Sequence, residues 1–377
     1  MTVGVIFGGM SCEHNVSIVT GVQVLNMIRG YKTIPIYIDN AGVWWTGKDF
    51  DRLETFGKGK CYGRRVHIEP ADNRLFAGRG KPVAALDCVI NCCHGTFGED
   101  GSLQGAFALS GIPLTGSGVA ASAAGMDKIT MKRLFREAGL PQTAFVGVTR
   151  GAYENRLFDV IKEIKSAIGF PMIVKPAGVG SSIGIGLAKD MSGLFECVRE
   201  AFEWDNKIVV EEALTDFIEI NCGVIGRDGD VETTELEQPV GWKEFLTYED
   251  KYGGKAGKGG AYAPAGAKGD GKDDGKRKMP ADVDEPTRTK IRTLAAQAFD
   301  TLGCSGVARV DFMVKDGTVY VNEINTVPGS LANYLFSYAG RLSPEKLIDR
   351  LVELAVADHR ARMGVRYRYA SPYALRR

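Results

Sequence analysis

Arg309-Val310-Asp311-Phe312-Met313-Val314, then Val319-Tyr320-Val321-Asn322-Glu323-Ile324-Asn325, joined through Lys315-Asp316-Gly317-Thr318, form the stretch on which the reading of this chain turns. Two β-rich runs flank a turn signal, so the segment reads as a hairpin. If the Lys315-Asp316-Gly317 loop has three residues with Gly317 left-handed, Val314 faces Thr318. The period-2 pleat then puts Arg309, Asp311, Glu323 and Asn325 on one face. A two-residue loop would split them. The opposite face carries Val310, Phe312, Val314, Tyr320 and Ile324 and reads as core, with Asn322 the exception. Two carboxylates and an amide oxygen are hard donors suited to Mg²⁺, and Mg²⁺ sites of this kind usually hold substrate phosphates as well. A surface hairpin with scattered charges is the competing reading.

At 377 residues the chain exceeds a typical single domain. A formal net charge of +1 gives no electrostatic case for nucleic acid or a membrane surface as the main partner. The opening MTVGVIFGGM lacks a charged n-region, and no apolar run reaches the ~20 residues that span a bilayer, so a cytoplasmic protein is expected. The eight cysteines include Cys88, Cys92, Cys197 and Cys304 inside apolar patterns, which suggests buried thiols rather than disulfides. Cys92-Cys93-His94 lacks the spacing of a zinc site.

Strands and helices alternate along the chain, giving an α/β and α+β, multi-domain class. Val3 to Phe7, Thr33 to Ile38 and Asp87 to Cys92 read as strands and Val16 to Ile28 as a helix, an open α/β layer over 1–123. A helix opening at Asp127 is closed by Gly139 and Pro141. A strand at 170–175, helices at 155–168 and 192–204 and a strand at 207–212 suit a small domain over 124–215. The remainder, 216–377, holds two strands about Arg227-Asp228-Gly229, a helix near 285–301, the hairpin and a C-terminal helix. Its Gly/Lys-rich segment, 253–279, reads as either a passive insertion or a mobile lid near 245–280.

Two glycine-containing loops follow strands. Val174-Lys175-Pro176-Ala177-Gly178-Val179-Gly180-Ser181-Ser182-Ile183-Gly184 offers backbone N–H groups to phosphate oxygens, yet matches neither a Walker A loop nor a dinucleotide fingerprint. Gly8-Gly9-Met10-Ser11-Cys12-Glu13-His14-Asn15-Val16-Ser17 opens a helix. Capping by Ser11 or Asn15 would explain its polar residues, whereas Glu13 lies where open α/β sheets bind ligands.

Taken in order, GGMSCEHNVS, HGTFGEDGSLQG, SGVAASAAGMDK, VKPAGVGSSIGI, YEDKY, ARVDF and NEINTVPG resemble the signature segments of D-alanine:D-alanine ligases of the ATP-grasp superfamily. The resemblance covers nearly the whole chain. It implies an ATP-grasp fold behind an N-terminal open α/β domain, ATP and Mg²⁺ (two ions, with Mn²⁺ as an alternative), small-molecule D-amino acid substrates and a homodimer. It also implies a reaction in which one D-amino acid carboxylate is phosphorylated and the amine of a second attacks the acyl phosphate.

Carried over by residue, the resemblance implies that Lys128, Lys175 and Ser182 contact ATP phosphates, that Glu211, Glu212 and Leu214 approach the adenine, and that Glu219 holds the ribose. The interval from Glu211 to Glu219 is one residue longer than in better-known members. Asp311, Glu323 and Asn325 hold the metal, and Arg309 with the Gly329 N–H stabilises the tetrahedral oxyanion. Glu13 fixes the first substrate's ammonium in a set with Ser181 and Tyr252. Lys251 reaches the transferred phosphate, and His94 and Glu99 line the first-substrate side. In Ser330-Leu331-Ala332-Asn333-Tyr334-Leu335 the pattern departs: Tyr334 stands where a serine helps bind the second substrate's carboxylate, close to Ser330. Tyr252, in place of the histidine of hydroxy-acid-accepting relatives, argues against D-lactate. The resemblance leaves three functions: dipeptide synthesis for cell-wall precursor, the same chemistry with D-serine or another acceptor, and a nucleotide-binding relative without catalysis.

Overall fold

The computed structural model describes residues 1–57, 63–240 and 277–367. The lid expectation, with Lys251 and Tyr252, lies outside the described residues apart from its end, 277–280, where Arg277–Lys278 form a short strand in place of the irregular chain expected. Three sheets organise the chain. The first has seven strands in the order β6-β5-β4-β3-β2-β1-β7. Its parallel part is built on β1 (Thr2–Gly8), next to the edge and paired with β2 (Lys32–Ile38) and β7 (Cys88–Asn91). Both faces of β1 are covered, with Val3, Val5, Ile6 and Phe7 all fully buried, which is why its sequence is an unbroken apolar run rather than an alternating one. Strands β3 (Trp44–Thr46), β4 (Arg64–Glu69), β5 (Asp72–Ala77) and β6 (Lys81–Ala85) extend the sheet antiparallel and were not expected from sequence. Helix α1 (His14–Met27) packs on this sheet, and α2 (Ser102–Ser110) follows β7.

After α3 (Val119–Met126), α4 (Lys128–Glu137) begins where Asp127 accepts from the Thr130 N–H at 2.9 Å and ends ahead of Gly139. A second sheet follows, ordered β10-β9-β11-β8, built from β8 (Phe145–Thr149), β9 (Met172–Pro176), β10 (Gly186–Ala188) and β11 (Lys207–Glu212). Helices α5 (Arg150–Asn155), α6 (Leu157–Ala167) and α7 (Met191–Trp204) accompany it.

The third sheet is ordered β14-β13-β12-β15-β16: β12 (Ile218–Arg227), β13 (Asp230–Pro239), β14 (Arg277–Lys278), β15 (Gly306–Lys315) and β16 (Thr318–Asn325). Its apolar face packs on α8 (Glu285–Thr301), capped by Asp284, and on Met131 and Phe135 of α4. The short α9 (Asn333–Phe336) leads to α10 (Pro344–Met363), which returns to the first sheet. Leu347, Leu351 and Val352 of α10 share one core with Val3, Val5, Ile90 and Val22. Seven cysteines lie among the described residues, all as free thiols; Cys88, Cys92 and Cys304 are buried, whereas Cys197 is only half-buried. Among the described residues no helix is long and apolar enough to cross a membrane.

Candidate active site

The β15–β16 hairpin differs from expectation in its turn and reaches the expected face by another route. Lys315 pairs with Thr318, so the loop has two residues, Asp316 and Gly317, both left-handed with φ of 49° and 74°. Alone, that turn would put Asn322 opposite Asp311. Instead the register shifts between Asp311 and Phe312: Phe312 faces Val321 and Asp311 faces Glu323, leaving Asn322 as the extra residue of a β-bulge. The bulge restores the shared face of Arg309, Asp311, Glu323 and Asn325. Below the bulge the core parity is inverted relative to expectation, so Val319 and Val321 are buried and Tyr320, expected in the core, is half-buried on the other face.

On that face Arg309 grips Asp311 with two hydrogen bonds, from Nε and Nη2, each 2.6 Å long. Burial works against the Arg309 charge, but the Asp311 carboxylate more than compensates and holds the guanidinium protonated above its ordinary range. Asn325 donates from Nδ2 to Asp311 Oδ2 at 3.0 Å. Among the described residues no three His, Cys, Asp or Glu side chains are grouped to hold a metal, so a cation here needs the amide as third donor. The set fits Mg²⁺ chemically. Asp311 and Glu323 are direct cross-strand neighbours, and a half-turn of the Asn325 amide replaces its NH₂ with an oxygen.

Across the cavity Lys128, the first residue of α4, donates to the Val179 carbonyl at 2.8 Å and lies 3.9 Å from Glu323 Oε2. Glu211 is buried between two ammonium groups, 3.2 Å from Lys132 Nζ and 3.4 Å from Lys175 Nζ. Burial alone would raise its pKa, yet the two lysines hold it below the ordinary glutamate value. Burial, with Lys175 nearby, lowers Lys132 despite the attraction of Glu211. Lys175 also reaches the bulge residue, Asn322 Oδ1, at 3.4 Å. Lys132 was not anticipated. Its signal was present, since residues 128, 131, 132 and 135 form the inward stripe of α4 and a lysine on such a stripe needs a buried partner. Glu212 is exposed and Leu214 half-buried on the connecting segment, so neither they nor Glu211 join the cavity that Glu219 lines.

On the third side, the Ser181 hydroxyl donates to Glu13 Oε1, tying the first sheet's loop to the glycine loop of the second, where Ser181 and Ser182 both sit left-handed. A Cβ on Gly180 would come within 2.6 Å of Glu13 Oε2, so glycine here lets Glu13 stay where Ser181 reaches it. Neither Ser11 nor Asn15 caps α1: the Ser11 hydroxyl accepts from the Glu13 N–H at 3.0 Å, and Asn15 is exposed.

Beside Glu13 the buried His94 donates from Nδ1 to the Val327 carbonyl at 2.8 Å, so its Nε2 accepts from the Thr20 hydroxyl, also at 2.8 Å. Thr20 Oγ1 in turn accepts from the Ser330 N–H at 3.1 Å. Burial pushes His94 down to about 4. Glu99 accepts from the Gly95 and Val327 N–H groups, and burial followed by the neighbouring Glu13 charge pushes it up to about 8. These contacts hold the turn carrying Gly329, whose following residues Ser330, Leu331 and Ala332 are all left-handed.

The fourth side holds Tyr334. Its hydroxyl donates to Glu237 Oε2 at 2.8 Å, and Asn221 Nδ2 donates to the same oxygen at 3.1 Å. Arg277 lies 3.4 Å from Glu237 Oε1, with its guanidinium 4.8 Å from the centre of the Tyr334 ring. Glu237, Asn221 and Arg277 carried no sequence signal. They line one cavity with Glu13, His94, Glu99, Lys128, Ser181, Arg309, Glu323, Asn325, Gly329, Ser330 and Tyr334.

The family models for the D-ala D-ala ligase N-terminus and C-terminus match residues 2–117 and 134–353. The chain belongs to the D-alanine–D-alanine ligase family. It is 37% identical over 381 residues to a D-alanine–D-alanine ligase of Geobacillus kaustophilus, covering 97% of this chain and 98% of that one. It is 35% identical to D-alanine–D-alanine ligase A of Salmonella typhimurium, with 96% and 97% covered. Among solved structures, the VanG D-Ala:D-Ser ligase of Enterococcus faecalis superposes with a TM-score of 0.78 at 28% identity, covering 94% and 99% of the two chains. The D-alanine-D-alanine ligase of Coxiella burnetii superposes with a TM-score of 0.77 at 25% identity and 96% coverage of each. Membership of the D-alanine–D-alanine ligase family makes this chain an ATP-dependent ligase with an ATP-grasp fold.

Proposed function

We propose that this enzyme joins two molecules of D-alanine into the dipeptide of peptidoglycan precursor, releasing ADP and phosphate, in the cytoplasm and as a homodimer. One observation supports the reading most: Arg309, Glu323 and Asn325, with Asp311 buried beside them, and the Glu13–Ser181 link border the same cavity. We divide the chain into a donor-side domain at 1–123, a central subdomain at 124–215 and a C-terminal subdomain at 216–377. In this reading Lys128, Lys175 and Ser182 hold the nucleotide's phosphates, and Glu219 holds its ribose. Glu212 and Leu214 approach the adenine through the connecting segment, whereas Glu211, its carboxylate committed to Lys132 and Lys175, contributes through its backbone.

Asp311, Glu323 and Asn325 hold Mg²⁺, which neutralises charge moving off the γ-phosphate when bound. Glu13 fixes the donor's ammonium. The donor carboxylate oxygen forms a bond to the γ-phosphorus as the bond to the β-phosphate oxygen breaks, leaving an acyl phosphate and ADP. The acceptor's amine then attacks the acyl carbon. Arg309 and the Gly329 N–H stabilise the resulting oxyanion, each such donor being worth ~3 kcal/mol, and collapse expels inorganic phosphate.

ADP release measured with D-alanine, D-serine and their L-forms, singly and in pairs, with the product identified by mass spectrometry, tests the reading. D-Alanyl-D-alanine is the expected product, and absence of turnover with every D-amino acid overturns it. A ligase with a different acceptor is the second reading, favoured by Tyr334, whose hydroxyl proton is spent on Glu237.

A further inference from the structure

The donor half of the cavity follows the family's pattern, whereas the acceptor half does not, and there the chain has assembled its own polar group. Tyr334 points its hydroxyl hydrogen at Glu237 Oε2 over 2.8 Å, so its oxygen presents lone pairs to the cavity and has no proton left to give a carboxylate. A bound α-carboxylate on this side therefore needs another donor. Arg277 supplies one. Its guanidinium lies against the Tyr334 ring, 4.8 Å from the centroid, and 3.4 Å from Glu237 Oε1, with its side chain 17% exposed at the cavity wall. A planar fork of five N–H donors can serve several acceptors, and this one lines the cavity. Glu237 is only 5% exposed and is fixed from the other side by Asn221, so it anchors the guanidinium rather than moving with it.

We propose that Arg277, held against the Tyr334 ring and anchored by Glu237, binds the α-carboxylate of the amine-bearing acceptor, and that the Tyr334 ring limits the acceptor's side chain to a small one. The inference rests on the ligase reading above. It assigns acceptor recognition to a cation on β14, outside the hairpin, and makes Glu237 a positioning residue that acts through Arg277. The acceptor class follows: a small amino acid with a free carboxylate, as opposed to an amine or an amino-acid amide.

The experiment separates donor activation from acceptor choice. Hydroxylamine intercepts the acyl phosphate as a hydroxamate, so hydroxamate formed from ATP and D-alanine reports the first half-reaction alone. Saturating D-alanine as donor, with D-alanine and D-alaninamide competing as acceptors, gives a ratio of dipeptide to dipeptide amide that reports acceptor preference directly. Wild-type protein is expected to favour D-alanine over the amide by about 30-fold or more, the scale of a lost charge-assisted contact. Arg277→Met should bring the ratio to within about threefold of unity on the same scale, with Arg277→Lys between the two. Tyr334→Ser, a second variant that opens volume and also takes away the ring Arg277 rests on, should admit D-valine as acceptor and narrow the preference for a carboxylate over an amide. A wild-type ratio near one, a ratio unchanged in Arg277→Met, or D-valine still refused by Tyr334→Ser overturns the inference. If hydroxamate forms and the ratios behave otherwise, only the acceptor assignment fails. If no hydroxamate forms from any D-amino acid, the ligase reading falls and carries this inference with it.

Discussion

His94 shows how much of this site is built by burial acting on single side chains. Its imidazole is 3% exposed and donates to Val327 while accepting from Thr20, a pair of roles only the neutral ring can fill. Burial holds it near 4, below the ordinary 6.5, so between these values the unfolded chain binds more protons than the folded one. The stability this group contributes is therefore present above pH 6.5 and lost as the pH falls through 4. Against a His94→Gln variant, wild-type protein should lose about 3 kcal/mol of additional unfolding free energy across that window, as read from urea titrations at stepped pH. Parallel pH profiles for the two proteins would show that the ring is charged or solvated. Glu99 runs the other way: with burial raising it from 4.5 to about 8, its contribution is fully present below pH 4.5 and is lost as the pH rises from there through 8.

At the scale of elements, the hairpin carries its catalytic face through a bulge, so the two strands tolerate one kind of length change. Deleting Asn322 leaves Asp311 opposite Glu323 and Phe312 opposite Val321, because the deleted residue has no partner across the ladder. The variant should fold with a thermal midpoint within a few degrees of wild type, about 1 kcal/mol, while Lys175 loses the amide it reaches. Failure to fold would mean that the bend introduced by the bulge, and not register alone, is required.

The same hairpin marks the boundary of what sequence could show. Asp127 and Asp284 caps, Pro141 and the apolar run of β1 act locally, and those elements were legible. For Arg309, Asp311, Glu323 and Asn325 a two-residue turn with a compensating bulge gives the same facing as a three-residue loop without one; Val319, Tyr320 and Val321 change face, and all three are strand formers that suit either one. Strands β4 to β6, with sequences such as RRVHIE and KPVAA, lack clean alternation because they lie toward a sheet edge with mixed exposure. Glu237, Asn221 and Arg277 belong to three strands and meet only once the third sheet is folded, which no local pattern announces.

For the molecule as a whole, the first and third sheets share a core although they lie at opposite ends of the chain. Leu351 of α10 is fully buried in the cluster that contains Val3, Val5 and Ile90, and Tyr31 donates to Asp349 at 2.8 Å across the same junction. Leu351→Ala should cost about 2–5 kcal/mol. The loss should appear as faster amide exchange in β1 as well as in α10. Acceleration confined to α10 would show that the two ends open independently.

The close approach of Gly180 to Glu13 has a consequence for how this sequence can drift. An added methyl at position 180 meets a carboxylate oxygen at the tip of a side chain, an atom that can swing aside, so the chain would still fold. What it would lose is the Glu13–Ser181 link. Aspartate at position 13 would clear the methyl and keep a carboxylate, but one methylene shorter it withdraws from Ser181, so alanine at 180 and the link exclude each other. The two sites are locked in evolutionary time, and a library screened for soluble expression would pass every member that had broken the lock.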